Sequence, residues 1–260
     1  MHTTSFTNIF MKNSENEPFV KVGRMRSFGR TSSRMSLEEQ NKLEERLNAY
    51  SCTVTNTIDL TTLFGADVKH LVVELGMGNG ESIGIRSQKE NDKHFIGCEV
   101  YKNGLLSLVR TIEEENIKNL KICSDDAREL LEQLPIKSVD ELVVLYPDPW
   151  PKNKQKKRRI INEELLNLAN KVLKEDGTLF IATDIPDYMM WILREVYNHS
   201  VFFPTAISPE EWATPPLWWH STKYEQKAII QGRKPWYMPF KRNVDKSNTK
   251  CKPLIKQADK

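Results

Sequence analysis

The sequence predicts a doubly wound α/β domain built on a mostly parallel sheet. Five short apolar runs alternate with segments of helical periodicity between Leu71 and Asn198, the pattern of repeated βα units. The first run passes directly into a glycine turn, Gly76-Met-Gly-Asn-Gly80, where a ligand can approach the backbone closely. Carboxylates stand at the ends of successive runs, at Glu74, Glu99, Asp126, Asp148 and Asp184. That is the edge at which open α/β sheets bind their ligands.

Taken in order, residues 1–20 are polar and unpatterned, and Lys21–Arg34 interleaves basic residues with Gly, Ser and Phe28. Such a mixture either follows a phosphate backbone, through Arg24, Arg26 and Arg30, or forms a linker. Ser36-Leu-Glu-Glu39 is a capping box that opens a helix to about Asn48. Leu71–Leu75 is the first strand, with a helix near Glu81–Ser87 after the glycine turn. His94–Glu99 is the second, followed by a helix over Lys102–Glu113. Leu120–Cys123 is the third, ending in Asp125-Asp126 before a helix over Ala127–Leu134. Val139–Tyr146 is the fourth, a continuous apolar run of the kind buried in parallel sheets. Ile160–Leu173 has helical spacing, Gly177–Thr183 is the fifth strand, and a helix covers Tyr188–Asn198. After Ser200 the alternation stops in an excursion rich in Pro and Trp. The expected organisation is one domain over 36–240, a flexible basic arm over 1–35 and a polar, basic tail over 241–260.

Composition limits the alternatives. The chain has 260 residues, 39% hydrophobic and 28% charged, with a net charge of only +3. A soluble domain with a real core follows, and the distribution of charge says more than its sum. Six of the eight residues Lys152–Arg159 are basic. The four cysteines are widely spaced with no C-x-x-C, so neither a disulfide framework nor a metal site is expected. No apolar run approaches membrane-spanning length, residues 1–20 lack an apolar signal core, and a cytoplasmic location is expected.

Between the fourth strand and the basic run lies Tyr146-Pro-Asp-Pro-Trp-Pro-Lys152. Three prolines fix their own φ and push the preceding residues toward extended backbone, which suits a stiff pocket wall carrying Asp148 and Trp150. The glycine turn alone serves NAD or S-adenosylmethionine, and its spacing departs from G-x-G-x-x-G by one position. Glu99 matches a ribose-binding acid in either case. Glu74 and Asp126 tilt the choice, because gathered carboxylates repel a pyrophosphate and suit a ligand with an ammonium, a diol and an adenine amine.

Together these residues resemble the bacterial tRNA (guanine-N7)-methyltransferases, which modify guanine 46 of the tRNA variable loop. The motifs, over about Arg26 to Arg233, are Glu74-Leu-Gly-Met-Gly-Asn-Gly80, Gly97-Cys-Glu-Val100, Asp125-Asp-Ala127, Tyr146-Pro-Asp-Pro-Trp-Pro-Lys152 with Lys157-Arg-Arg159, Ala182-Thr-Asp184 and Thr222-Lys-Tyr-Glu225. The resemblance implies a class I S-adenosylmethionine-dependent methyltransferase fold, Rossmann-like, with an antiparallel strand after the parallel ones. It implies a cofactor site at Glu74, Gly76, Gly78, Gly80, Glu99, Asp126 and Asp148, with Asp148 also the catalytic residue. Lys152, Asp184, Thr222, Lys223, Tyr224 and Glu225 would bind the substrate, and Lys156, Lys157, Arg158 and Arg159 would join the arm in holding RNA phosphates. Whether Asp148 or Asp184 meets the guanine stays open, as does whether Trp150 stacks on the base or packs in the core. Trp150-Pro151 follows the bacterial pattern, so a monomer or homodimer with no obligate protein partner is expected.

Overall fold

The computed structural model of the chain describes residues 24–29, 35–52, 54 and 57–242. Arg30 and residues 243–260 of the expected tail lie outside them. The elements run α1 (Leu37–Asn48), α2 (Leu60–Phe64), β1 (Leu71–Leu75), α3 (Glu81–Lys89), β2 (His94–Cys98), α4 (Lys102–Glu114), β3 (Leu120–Cys123), α5 (Ala127–Gln133) and β4 (Val139–Leu145). A 3-10 turn (Asn153–Arg158) follows, then α6 (Glu163–Val172), β5 (Leu173–Thr183), α7 (Pro186–His199), β6 (Phe202–Pro204), α8 (Pro209–Trp212), α9 (Lys223–Ile230) and β7 (Trp236–Arg242). The capping box forms as expected: Ser36 Oγ accepts from the Glu39 amide, and the Glu39 carboxylate accepts from the Ser36 amide.

One seven-stranded sheet has the order β3-β2-β1-β4-β5-β7-β6. The first five strands are parallel and β7 pairs antiparallel with β5, the class I arrangement implied by the motifs. Alternate residues of β1 serve opposite faces. Leu71, Val73 and Leu75 join the core beneath α5, α6 and α7, while Val72 joins Leu43, Ile83 and Leu108 under α1, α3 and α4. Burial on both faces explains why the central strands read as continuous apolar runs.

The sheet edge is where sequence patterning gave least. Pro239 argues against a strand, yet β7 runs through it, with Pro239 opposite Phe180. Its carbonyl accepts from the Thr205 amide, on the side of β7 where the three-residue β6 has ended, so no ladder donor is lost. β7 ends at Arg242, just past the expected domain limit. β5 begins at Leu173 rather than Gly177 because the register slips between Val139 and Glu141, and regular pairing resumes at Thr178.

One contact ties the packing to the first turn. A Cβ on Gly104, in the first turn of α4, would lie 2.1 Å from the Gly78 carbonyl oxygen. Only glycine lets α4 approach the glycine turn this closely. Gly104→Ala should destabilise the fold by about 1–3 kcal/mol, the usual cost of overpacking. Urea denaturation measures this, and an unchanged midpoint would refute the tight contact.

Candidate functional site

β1, β2 and β4 deliver three carboxylates to one place. Glu74, the penultimate residue of β1, is 3% exposed, and burial pushes its carboxyl up to about 8. Arg86 and the Ser82 hydroxyl pull it down, and Glu99 adds to the rise. Glu99 lies one residue past β2 and accepts from the backbone amides of Gly78, Val100 and Tyr101 at 2.8–2.9 Å. Burial still raises it, with Asp148 contributing repulsion. Asp148, on the turn after β4, is an exposed residue, yet partial loss of hydration at its carboxyl raises it, against the Gly29 backbone and Arg158, which lower it. Gly76, Gly78 and Gly80 all have positive φ, and a Cβ at Gly76 would meet nothing within 4 Å. Glu74, Gly76 and Asn79 on one side and Tyr146, Thr222 and Tyr224 on the other line a narrow cleft. Crowded, partly compensated carboxylates beside an open backbone turn fit a ligand that brings positive charge and no phosphate.

Asp126 is placed differently from its partners. It is 1% exposed, N-caps α5 through the Arg128 amide, and takes both Nε and Nη2 of the Arg128 guanidinium. Its oxygens therefore already have protein donors.

The Asp148 turn is wrapped by residues 24–29. Arg24 reaches Glu129 at 2.5 Å, Glu132 at 2.6 Å and Glu164 at 2.8 Å. The carbonyl of Met25 accepts from Arg128, those of Arg26 and Phe28 from Arg158, and that of Ser27 from the Trp150 indole. The Gly29 backbone lies beside Asp148, where an added Cβ would be 3.8 Å from Oδ2. A stretch expected as part of a flexible, RNA-facing arm is thus packed along the strand ends. Its first arginine turns inward because three carboxylates on α5 and α6 converge on it.

The basic run after β4 divides in two. Arg159 is 1% exposed; it donates to the Pro149 carbonyl, pairs with Asp187 and lies over the Tyr188 and Trp191 rings. Arg158 stacks on Trp150, 3.7 Å from the ring centroid, and Lys156 pairs with Asp187 at 2.8 Å. The expectation that Arg24 and Arg159 hold phosphates does not match these inward positions. Lys152, Lys154 and Lys157 are exposed. Trp150 has one face covered by Arg158 and its N–H taken by Ser27, so it packs rather than standing open to a base.

The far wall comes from α9. Thr222 N-caps the helix, accepting from the Glu225 amide, and the Lys223 amide donates to Glu81 at 2.9 Å. The Tyr224 ring lies against Gly78, where an added Cβ would be 3.3 Å away. Partial burial raises its hydroxyl, with Glu99, Asp148 and Glu81 adding to the rise. Glu225 is 3% exposed and accepts from Trp219 Nε1 at 3.0 Å and from the Tyr237 hydroxyl. Asp184, one residue past β5, pairs with Arg233 at 2.5 Å. Neither Trp219 nor Arg233 carries a role in the sequence motifs. Arg233 meets Asp184 across 49 residues of sequence and Trp219 meets Glu225 across 6, and no local pattern marks either pairing.

A larger cavity of about 570 Å³ opens at the opposite strand ends, beside Asp140, Thr178 and Lys241. Its acids Asp140 and Glu141 are paired with Lys174, Arg86 and Lys93, and it lies far from the carboxylate cluster. Among the described residues no group could hold a metal ion and no helix is long and apolar enough to cross a membrane.

Comparison with known proteins agrees with this arrangement. Residues 68–238 match a family model described as a putative methyltransferase. The chain is 39% identical over 182 residues to the tRNA (guanine-N(7)-)-methyltransferase of Agrobacterium fabrum, covering 70% of this chain and 78% of that one. It is 35% identical over 218 residues to the protein of the same name from Rhizobium etli, covering 83% and 95%. The fold, the motifs and these matches together show that the chain belongs to the tRNA (guanine-N7)-methyltransferase family.

Proposed function

We propose that this chain transfers a methyl group from S-adenosylmethionine to N7 of guanine 46 in the variable loop of tRNA. The observation that carries the donor is the gathering of buried Glu74, half-buried Glu99 and exposed Asp148 at one site, whose lost hydration and mutual repulsion a cationic ligand would relieve. The names of the relatives support guanine N7 of tRNA as acceptor, and position 46 rests on the motif resemblance.

When bound, S-adenosylmethionine supplies an electrophilic methyl group on a sulfonium sulfur, which guanine N7 accepts with its own in-plane lone pair. No general base is required, so the residues have to orient, exclude water and tolerate a base that becomes cationic. Alignment of the reacting atoms can supply several kcal/mol. Asp148 meets the last of these demands, because its carboxylate can accept from guanine N1–H and the exocyclic amine and favours positive charge on the ring. Asp184, held by Arg233, is assigned the supporting position, because its carboxylate already has a cation. N7 lies on the Hoogsteen edge, so the base leaves its stack at a cost of a few kcal/mol. Tyr224, half exposed over the glycine turn, is placed to offset this by stacking. Lys152 and Lys157, both exposed, are the phosphate contacts, positioning the RNA without reading its sequence.

Incubation with labelled S-adenosylmethionine and an unmodified tRNA transcript should place the label in 7-methylguanosine at position 46. Label elsewhere, or in a transcript with guanine 46 replaced by adenine, would refute the site. Asp148→Ala should reduce transfer by at least about a hundredfold, as for lost transition-state electrostatics, while tRNA affinity stays within a few-fold.

The acid cluster also fixes a pH dependence. A cation binds the ionised form of Glu74, whose carboxyl burial holds at about 8, and so lowers that value in the complex. Affinity for S-adenosylmethionine should rise from about pH 6 to about pH 8.5, by at most about tenfold per unit, then level off. Calorimetry across that range tests this; Glu74→Gln should flatten the rise, and a wild-type affinity that falls with pH would contradict it.

A further inference from the structure

Arg158 has two surfaces to offer a ligand, and the protein uses both. Its guanidinium face lies 3.7 Å from the Trp150 ring centroid. Its Nε and Nη2 edge, the fork that suits a phosphate or carboxylate, donates instead to the carbonyls of Arg26 and Phe28, each at 3.0 Å. Trp150 in turn donates Nε1–H to Ser27 at 3.0 Å. Three consecutive carbonyls are therefore gripped by one stacked pair, Arg158 on Trp150, and the next residue is Gly29. A Cβ on Gly29 would sit 3.8 Å from Asp148 Oδ2, and the Gly29 backbone beside that carboxylate favours its anion.

We propose that Arg158 is a positioning residue: stacked on Trp150, it clamps residues 26–28 to the turn after β4 so that the Gly29 backbone is held against Asp148. This rests on reading Asp148 as the group that meets the guanine, and it sets Arg158 apart from the exposed lysines of the same run. A lysine cannot replace it, because an ammonium offers neither a planar face for the indole nor two coplanar donors. The groups acting on Asp148 are Arg158 and Gly29, which favour its anion, and Glu99, Tyr188 and Tyr224, which face it electrostatically. Removing Arg158 withdraws a cation and loosens the Gly29 backbone from Asp148, so the carboxyl titrates at higher pH and the acid limb of the rate profile moves up.

The test compares full-length wild type with Arg158→Ala, Arg158→Lys and Lys157→Ala. It measures amide hydrogen exchange at Gly29, single-turnover methyl transfer against pH at saturating tRNA, and tRNA affinity against salt. In both Arg158 variants exchange at Gly29 should rise, and transfer should fall by about tenfold, the scale of one lost hydrogen-bonded anchor. The acid limb should shift upward, and tRNA affinity should change less than about threefold. Lys157→Ala should weaken tRNA binding and reduce the salt slope by about one. Arg24→Gln frees the same segment from its other end and should reproduce the Arg158 pattern, which guards against misfolding of either variant. The clamp is overturned if Arg158→Ala lowers the salt slope like Lys157→Ala with Gly29 exchange unchanged, or if exchange rises while transfer and its pH profile stay at wild type. Should the wild type methylate no guanine, the functional reading fails, and Gly29 exchange in the variants still decides whether Arg158 holds the segment.

Discussion

The organising constraint is the gathering of like charges, from buried Glu74 to exposed Asp148, at one edge of the sheet. Parallel strands all end on the same side, so acids at the ends of β1, β2 and the turn after β4 necessarily approach one another. The same topology supplies partial relief. Each strand leads into a helix, and the free amides and positive dipole end of that helix face the acid. Glu99 shows this directly, accepting from the Val100 and Tyr101 amides just before α4 and from Gly78 across the turn. The compensation is incomplete, because Glu74, Glu99 and Asp148 all remain raised. A neutral or anionic ligand would leave that repulsion standing, which is why the fold and its charge pattern point to the same cofactor.

Much of the fold was legible because burial on both faces turns the central strands into unbroken apolar runs, and because Ser36 and Glu39 announce the first helix. The antiparallel edge was harder. β7 carries Pro239, and its tolerance of proline depends on where β6 stops, which no local pattern contains. The carboxylates of the site were legible as positions, since strand ends can be counted from the sequence. Their partners were not. That Asp184 meets Arg233, or that Glu81 accepts from the Lys223 amide, depends on residues that approach only after folding.

Basic residues posed the opposite difficulty. A run such as Lys152–Arg159 invites one collective reading, yet arginine and lysine separate within it. The arginines turn inward, where a planar cation can stack on Trp150, Tyr188 or Trp191 and satisfy several acceptors. Lys152, Lys154 and Lys157 stay in water. The run therefore both builds the turn and faces outward, and counting positive charge overstates what is free for a polyanion.

The turn after β4 has a further property. Tyr146 and Trp150, which bracket Pro147-Asp148-Pro149, have φ of 48° and 40°, a left-handed backbone that costs a residue with a Cβ roughly 1–2 kcal/mol. Glycine or asparagine would relax either position. Neither could supply the ring that packs against Trp219 at one end or lies under Arg158 at the other. Backbone preference and packing thus demand different residue types at both hinges of this corner, and no single replacement meets the two demands together. Substitution at these two uncharged aromatic residues should therefore cost the fold more than substitution at the exposed carboxylate they frame, whose loss falls on activity instead.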